Sequence, residues 1–265
     1  PAWRDQIQTL LDPFDAVLVA GAPVFTYHVE GSGPHWPRHA QLAALSDDPN
    51  HLAALPGGFG VLGDVGAGLA IISEFAKERA FSGSSHQLKN PEPAMNAPYV
   101  LKRVAELRPE QAVIVEEAPT ARGPEHDVLP ITREGGFYTC ASGGLGYSLP
   151  ASIGIALGQP DKVIAILGDG SAMYTIQGLF AAKLEAANVS FVILNNAAYA
   201  ALTGFSGEFG MNHVPGCDLS GLDFTLLAEG HGVPARRVDA LGELDAALEW
   251  SFAQTGPSLL DIRIA

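Results

Sequence analysis

The stretch that decides the fold is Val163–Tyr199, which reads VIAILGDGSAMYTIQGLFAAKLEAANVSFVILNNAAY. It begins with five apolar residues, Val163–Leu167, which predict a strand buried on both faces of a parallel sheet. A turn at Gly168–Ser171 then leads into a predicted helix, whose apolar face is formed by Ile176, Leu179, Phe180 and Leu184. A second apolar strand, Val189–Leu194, follows. This βαβ pattern brings the carboxyl ends of two parallel strands to one edge of the sheet, where ligands of open α/β sheets bind.

The residues at that edge are typical of a metal-bridged diphosphate site. Gly168 and Gly170 allow a tight turn and a close approach of the backbone to a bulky anion. Ser171 is predicted to open the helix, where unpaired N–H groups favour phosphate. The carboxylate of Asp169 would repel a phosphate unless a divalent cation lay between them. Asn196, after the second strand, supplies the neutral oxygen that a hard cation such as Mg²⁺ prefers.

The two motifs, GDGS at 168–171 and NN at 195–196, resemble the cofactor-binding signature of the thiamine-diphosphate-dependent decarboxylases and synthases. An ordinary βαβ turn, with a helix cap and an Asn at the end of a strand, is the alternative explanation. Two motifs at this spacing, each following a predicted strand, are far more specific than a lone GDG. The resemblance implies thiamine diphosphate and Mg²⁺ as cofactors.

Composition excludes several other classes of protein. The chain has 265 residues, of which 47% are hydrophobic and 17% charged, as in globular proteins. A net charge of −14 argues against a nucleic-acid surface, which needs clustered Lys and Arg. Two isolated cysteines, no signal-peptide pattern and no convincing membrane span make a cytoplasmic location the default expectation. The GxSxG elbow of serine hydrolases and the P-loop motif are both absent from the sequence.

The order of the predicted elements indicates two α/β domains. Residues 1–82 read as a partial middle domain, and residues 83–98, rich in Ser, Gly and Pro, read as a linker. Residues 99–265 are predicted to form a doubly wound parallel sheet with helices on both faces and at least five strands. By resemblance, this second domain would be the one that binds thiamine diphosphate and Mg²⁺.

Further segments resemble the benzoylformate decarboxylase branch of the family: GAPVFTYH (21–28), VEEAPT (115–120), FYTCASGGLGYSLPASIG (137–154), NNAAYAAL (195–202) and VPGCDLSGLDFTLLAEGHGV (214–233). This branch implies non-oxidative decarboxylation of a small-molecule 2-oxo acid, most like the conversion of benzoylformate to benzaldehyde and CO₂. Two alternatives stay open. One is a carboligase of the acetolactate synthase type, and the other is a catalytically incomplete subunit or fragment that binds the cofactor.

The resemblance also assigns site residues. Mg²⁺ would be held by the side chains of Asp169 and Asn196 and by the backbone carbonyl of Ala198. The residues expected to face the diphosphate are Thr120, Gly170, Ser171 and the amide of Tyr199. The carbonyl of Gly143 would bind the aminopyrimidine, and Leu145 would hold the cofactor in its bent form. The residues expected to line the substrate pocket are Thr139, Ala201 and Phe205.

The chain departs from the family pattern in three ways. Thr139 stands where an aromatic residue is expected beside the substrate, and Pro119 stands where a hydroxyl residue is expected beside the diphosphate. The pyrimidine-binding domain, which would carry the activating Glu, is missing, so the catalytic group is unknown. We expect that domain in a companion chain or in a longer enzyme. Because active sites of this family form between two chains, a dimer or tetramer is also expected.

Other candidate groups have simpler explanations. Of the eight histidines, only His213 follows the predicted cofactor segment closely enough to approach a substrate. Glu116 and Glu117 are consecutive on a predicted strand and point to opposite faces, which favours a structural role for Glu117 beside the diphosphate loop. Cys140 has no histidine nearby in sequence and is expected to be a small core residue.

Overall fold

The computed structural model describes residues 4–25, 33–76, 88–140, 143–211 and 213–265, which belong to two compact units, Pro1–Gly83 and Ser84–Ala265. Residues 83–87 of the predicted linker and residues 26–28 of the GAPVFTYH segment lie outside the described residues. Within the described ranges, no helix has the length and apolar character needed to cross a bilayer.

The first unit contains a three-stranded parallel sheet in the order β1-β2-β3. Its strands are β1 (Ala16–Ala20), β2 (Gln41–Ser46) and β3 (Phe59–Leu62), and its helices are α1 (Arg4–Leu11), α2 (Pro49–Ala53) and α3 (Val65–Phe75). The carboxylates of Asp48 and Asp64 cap α2 and α3 by accepting backbone N–H bonds. The sequence did not predict β2, since the region before Pro49 reads as irregular.

The second unit is built on a six-stranded parallel sheet in the order β5-β4-β6-β7-β9-β8. Its strands are β4 (Val113–Glu117), β5 (Phe137–Thr139), β6 (Val163–Gly168), β7 (Val189–Asn195), β8 (Ala235–Val238) and β9 (Ser258–Arg263). Every pairing is parallel, and the strands at the centre of the sheet are buried on both faces. The doubly wound α/β fold is therefore confirmed.

The helices of this unit cover both faces of the sheet. They are α4 (Ala97–Leu107), α5 (Arg122–Val128), α6 (Ser148–Gly158), α7 (Asp169–Met173), α8 (Gly178–Leu184), α9 (Ala200–Glu208), α10 (Phe224–Gly230) and α11 (Leu244–Phe252). One core packs Ile164 and Ile166 of β6 against α4 and α11. The other packs Val163, Ala165 and Leu167 of the same strand against α6, α8 and α10. Alternate side chains of one strand thus enter opposite cores.

The segment after β6 differs from the single helix predicted there. The chain forms two short helices, α7 and α8, separated by a turn in which the N–H of Gly178 bonds to the carbonyl of Thr175 at 2.8 Å. The turn changes the helical phase, so Phe180 and Leu184 are exposed although Leu179 is buried. Ser171 also lies inside α7, which begins two residues earlier, and so does not open the helix.

Candidate active site

A cleft with a volume of about 160 Å³ lies at the carboxyl edge of the second unit's sheet, beyond the ends of β4, β6 and β7. We call it the edge cleft. Residues of the predicted site that line it are Thr120, Leu145, Asp169, Gly170, Ser171, Asn196, Ala198, Tyr199 and Ala201. Sequence reasoning missed other residues of its wall, including Tyr174, Leu202 and Ile264. The parallel strands explain the convergence, because their carboxyl ends all reach one edge.

Two of the predicted metal ligands, the side chains of Asp169 and Asn196, accept the same backbone N–H. The N–H of Ala198 donates to Oδ2 of Asp169 at 3.2 Å and to Oδ1 of Asn196 at 3.1 Å. A carboxylate oxygen and an amide oxygen therefore lie within 3.2 Å of the same backbone nitrogen. These oxygens come from the ends of neighbouring strands, β6 and β7, which places them at a single point of the edge cleft.

The environment of Asp169 suits a bound cation. The residue is 3% exposed, and Oδ1 accepts the N–H of Gly170 at 2.8 Å. Burial raises the pKa of its carboxyl group, while hydrogen bonds from Gly170 and Ala198 oppose that rise. Among the described residues, no basic side chain forms an ion pair with it. A divalent cation would supply the missing positive charge, so the residues present fit Mg²⁺.

The predicted ligand set contains only one carboxylate. Consistent with this, the described ranges contain no cluster of three or more His, Cys, Asp or Glu side chains that could hold a metal alone. Mg²⁺ usually combines one or two carboxylates with phosphate oxygens and water. The arrangement at Asp169 therefore fits a metal that also binds a phosphorylated ligand.

The two asparagines of the NN motif have different roles. Asn195 is buried, and its side chain donates to Oδ1 of Asp261 at 2.7 Å and accepts the N–H of Ala197 at 3.0 Å. It therefore ties the end of β7 to β9 and shapes the turn that follows. Only Asn196 lines the edge cleft.

Tyr199 contacts the site through its ring, and the predicted contact of its amide with the diphosphate stays a prediction. The N–H of Tyr199 donates to the carbonyl of Cys217 at 2.9 Å, next to a bridge between Ala198 and Asp218. The amide is therefore already paired. The ring packs so closely on Gly170 that a Cβ atom at that position would lie 2.5 Å from it. A glycine is required there by the close approach of the ring.

The Gly-rich loop before α6 is held by Glu117, as its predicted structural role requires. The carboxylate accepts the N–H groups of Gly146 and Ser148, both at 2.6 Å. These bonds fix the loop at the end of β4 and let the side chain of Leu145 reach the edge cleft. Gly143 has a positive φ of 69° but does not line this cleft. Its predicted carbonyl contact to an aminopyrimidine stays a prediction.

Two residues predicted to line the substrate pocket lie outside the edge cleft. Phe205 is half-buried on α9 and does not line the cleft, in contrast to Ala201. Thr139, at the end of β5, also lies off the cleft wall, and its hydroxyl donates to Oε2 of Glu116 at 2.8 Å. His213 lines a separate depression together with Met211 and Cys217. None of these positions demonstrates contact with a substrate.

A polar group beside the cleft was not recognised from the sequence. It consists of Glu116, Arg122 and Thr139, which we call the Glu116 cluster, and buried Glu125 lies close to it. A weak signal for a buried Glu125 was present in the sequence. If this segment is helical, Glu125 lies on the same face as Val128 and Leu129, which are three and four residues later and are buried. The segment follows a Pro-containing loop and is short, so its sequence does not predict the helix α5 (Arg122–Val128).

Comparison with known proteins identifies the family to which the second unit belongs. Residues 125–262, just over half of the chain, match the model of the thiamine pyrophosphate enzyme C-terminal TPP-binding domain. This chain belongs to the thiamine pyrophosphate enzyme family. Thiamine pyrophosphate and thiamine diphosphate are the same cofactor. The family membership predicted from GDGS and NN is thus confirmed.

Individual relatives lie in two branches. The chain is 34% identical to benzoylformate decarboxylase of Pseudomonas aeruginosa, over 99% of this chain and 51% of that protein. It is 39% identical to a putative acetolactate synthase large subunit of Mycobacterium tuberculosis, over 60% of this chain and 33% of that protein.

Solved structures of decarboxylases also match this chain over its whole length. A 4-hydroxybenzoylformate decarboxylase of Rhodococcus jostii superposes with a TM-score of 0.91 at 32% identity, over 100% of this chain and 51% of that chain. A benzoylformate decarboxylase of Polynucleobacter necessarius gives a TM-score of 0.94 at 30% identity, over 100% of this chain and 52% of that chain. The chain therefore spans about half the length of these relatives.

Proposed function

We propose that this chain provides the cofactor-binding half of a thiamine-diphosphate-dependent carboxy-lyase that decarboxylates a 2-oxo acid, most like benzoylformate to benzaldehyde and CO₂. The observation that carries this proposal is the meeting of Asp169, Asn196 and Ala198 at the edge cleft of a thiamine pyrophosphate enzyme domain. When bound, thiamine diphosphate supplies the carbanion chemistry. The residues of this chain bind and orient it.

Each part of the site has a role in this proposal. Asp169, Asn196 and the carbonyl of Ala198 hold Mg²⁺, which neutralises the diphosphate. Thr120, Gly170 and Ser171 lie on the cleft wall where the diphosphate would bind. The side chain of Leu145 would hold the cofactor in its bent form.

Two other functions have specific support. Carboligation of the acetolactate synthase type is supported by the 39% identity to the mycobacterial protein. Production of acetolactate from pyruvate would favour it over decarboxylation. A catalytically incomplete subunit is supported by the site assignment, in which residues are assigned to cofactor and metal but none to the catalytic group. In that case the purified chain would bind the cofactor but form no aldehyde from benzoylformate, even at high protein concentration.

The organisation of the complete enzyme is part of the proposal. We assign the first unit to the middle domain and expect the pyrimidine domain, with its activating Glu, in a companion chain or a longer polypeptide. We expect a dimer or tetramer, because the cofactor would bind between chains. A cytoplasmic location is proposed from the isolated cysteines.

Calorimetric titration with thiamine diphosphate, with and without Mg²⁺, tests the proposal. We expect binding that depends on the metal, and we expect Asp169→Ala to weaken it on the order of a hundredfold, because a metal ligand is lost. Asp239→Ala is the matched control, since Asp239 is exposed and lies outside the edge cleft. Binding that is equally tight in Asp169→Ala and the wild type would refute the metal assignment.

A further inference from the structure

Glu116 is a fully buried carboxylate that accepts hydrogen bonds from three different residues. It is 0% exposed at the carboxyl end of β4. Its oxygens accept the N–H of Ala118 at 2.7 Å, the hydroxyl of Thr139 at 2.8 Å and Nε of Arg122 at 3.0 Å. Three donors thus stabilise the buried charge, and together they fix the positions of Arg122 and Thr139.

The Glu116 cluster lies next to the edge cleft. Glu116 and Thr139 are paired in register at the carboxyl ends of β4 and β5. The residues between Glu117 and Arg122, at positions 118–121, line the edge cleft. Arg122 is therefore the first residue beyond that wall, at the same edge of the sheet as the proposed cofactor site.

The guanidinium of Arg122 has N–H donors that form only long contacts or no hydrogen bond in the described part of the chain. Its Nε is bonded to Glu116, whereas Nη2 makes only long contacts, 3.4 Å to Oε1 of Glu116 and 3.5 Å to the hydroxyl of Thr139. Nη1 has no hydrogen-bond partner within the described part of the chain. The side chain is 40% exposed, although its partner carboxylate is buried. The guanidinium is thus anchored through Nε on a buried carboxylate, and the side chain that carries the two Nη groups is partly exposed to solvent.

Glu125 does not accept a hydrogen bond from the Nη groups of Arg122. It is 1% exposed, and neither carboxyl oxygen has a hydrogen-bond partner among the described residues. Burial, reinforced by the negative charge of Glu116, raises the pKa of its carboxyl group to about 8. Glu125 is therefore mostly neutral at pH 7 and does not add a second negative charge beside Arg122.

We propose that Arg122 is a specificity-determining residue that selects 2-oxo acids whose acyl group ends in a hydrogen-bond acceptor, a carboxylate above all. The inference rests on the proposed function and names its substrate class. A carboxylate matches the fork of a guanidinium and can bond both Nη groups at once. A purely apolar acyl group would instead cover these donors without replacing the water that they bind.

Two para-substituted benzoylformates of similar size test the proposal. The first carries a carboxylate and the second a methyl group, and their dissociation constants are measured on the full chain loaded with thiamine diphosphate and Mg²⁺. A charge-assisted bidentate contact should favour the carboxylate about tenfold or more. Arg122→Gln should abolish this preference while the methyl compound binds as before. Arg122→Lys keeps the charge but loses the fork, and should retain only part of the preference.

Arg133→Gln is the control, because Arg133 is also paired with a carboxylate, Asp161, but contacts Gln111 ahead of β4, at the opposite edge of the sheet. Circular dichroism confirms folding of each variant, and Arg122→Lys decides the question if Arg122→Gln does not fold. A wild-type chain without the preference, a preference that survives in folded Arg122→Gln, or an undiminished preference in folded Arg122→Lys would overturn the inference alone. Failure of the wild type to bind thiamine diphosphate or either 2-oxo acid would instead contradict the proposed function.

Discussion

Raising the pH from 5 to 9 should weaken the folded second unit through one side chain, Glu125. The carboxyl group is 1% exposed, and its oxygens have no hydrogen-bond partner in the described part of the chain. Burial is the main cause that raises its pKa from 4.5 to about 8. The negative charge of Glu116 acts in the same direction, and the positive charge of Arg122 opposes it.

The sign follows from the protons bound in each state. Between pH 4.5 and about 8 the unfolded chain has lost this proton and the folded chain has kept it. The free energy of unfolding therefore falls as the pH rises through this window, by up to about 1.4 kcal/mol per pH unit. Over the whole window the loss is roughly 4 to 5 kcal/mol as an upper order of magnitude. Outside the window this group adds no further dependence.

The measurement is urea unfolding at pH 5 to 9, with hydrogen exchange of the β6 and β7 amides as the probe. It gives the free energy of unfolding of the second unit, which contains Glu125. Glu125→Gln replaces the titrating carboxyl group with a neutral amide. The free energy of unfolding of this variant should therefore exceed that of the wild type by an amount that grows as the pH rises. Glu110→Gln, at an exposed position, is the control and should follow the wild type. If the difference between Glu125→Gln and the wild type does not change with pH, the assigned cause is wrong.

Two backbone positions at the site give further predictions. Ala197 has a positive φ of 60°, so Ala197→Gly should raise the free energy of unfolding by about 1 kcal/mol in denaturant melts. Ala200→Gly, within α9, should instead lower it by about 1 kcal/mol, and the reasoning fails if both changes destabilise the chain. Gly170→Ala should weaken thiamine diphosphate binding at least tenfold in calorimetry, because its Cβ would meet the ring of Tyr199 at 2.5 Å. Gly154→Ala, where a Cβ meets nothing within 4 Å, should bind normally, and unchanged binding in Gly170→Ala would contradict the close packing.

The parallel sheet of the second unit could be predicted where strands are long and apolar. Val163–Leu167 and Val189–Leu194 are such runs, and they became β6 and β7 at the centre of the sheet. β5, with three residues, and β2, within a segment that reads as irregular, were not predicted. Short strands owe their structure to the neighbour with which they pair, and that neighbour is distant in sequence.

The candidate site could also be predicted from the sequence only in part. The spacing of GDGS and NN predicted that Asp169 and Asn196 would converge, because both follow strands of one βαβ unit. The pairing of the Tyr199 amide with the carbonyl of Cys217 was not predicted, because it arises where a loop distant in sequence folds back. Nothing in the local sequence around Tyr199 indicates that return of the chain.

The sequence by itself determined the fold class of the second unit, the family and the motif that would bind metal and diphosphate. These properties depend on short-range patterns: apolar runs, glycine turns and polar residues at strand ends. Tertiary structure alone decided the separation of α7 from α8, the pairing of the Tyr199 amide and the Glu116 cluster. Glu116 and Thr139 are 23 positions apart and meet only because β4 and β5 pair in register. Charge burial and hydrogen-bond satisfaction are set by such distant neighbours.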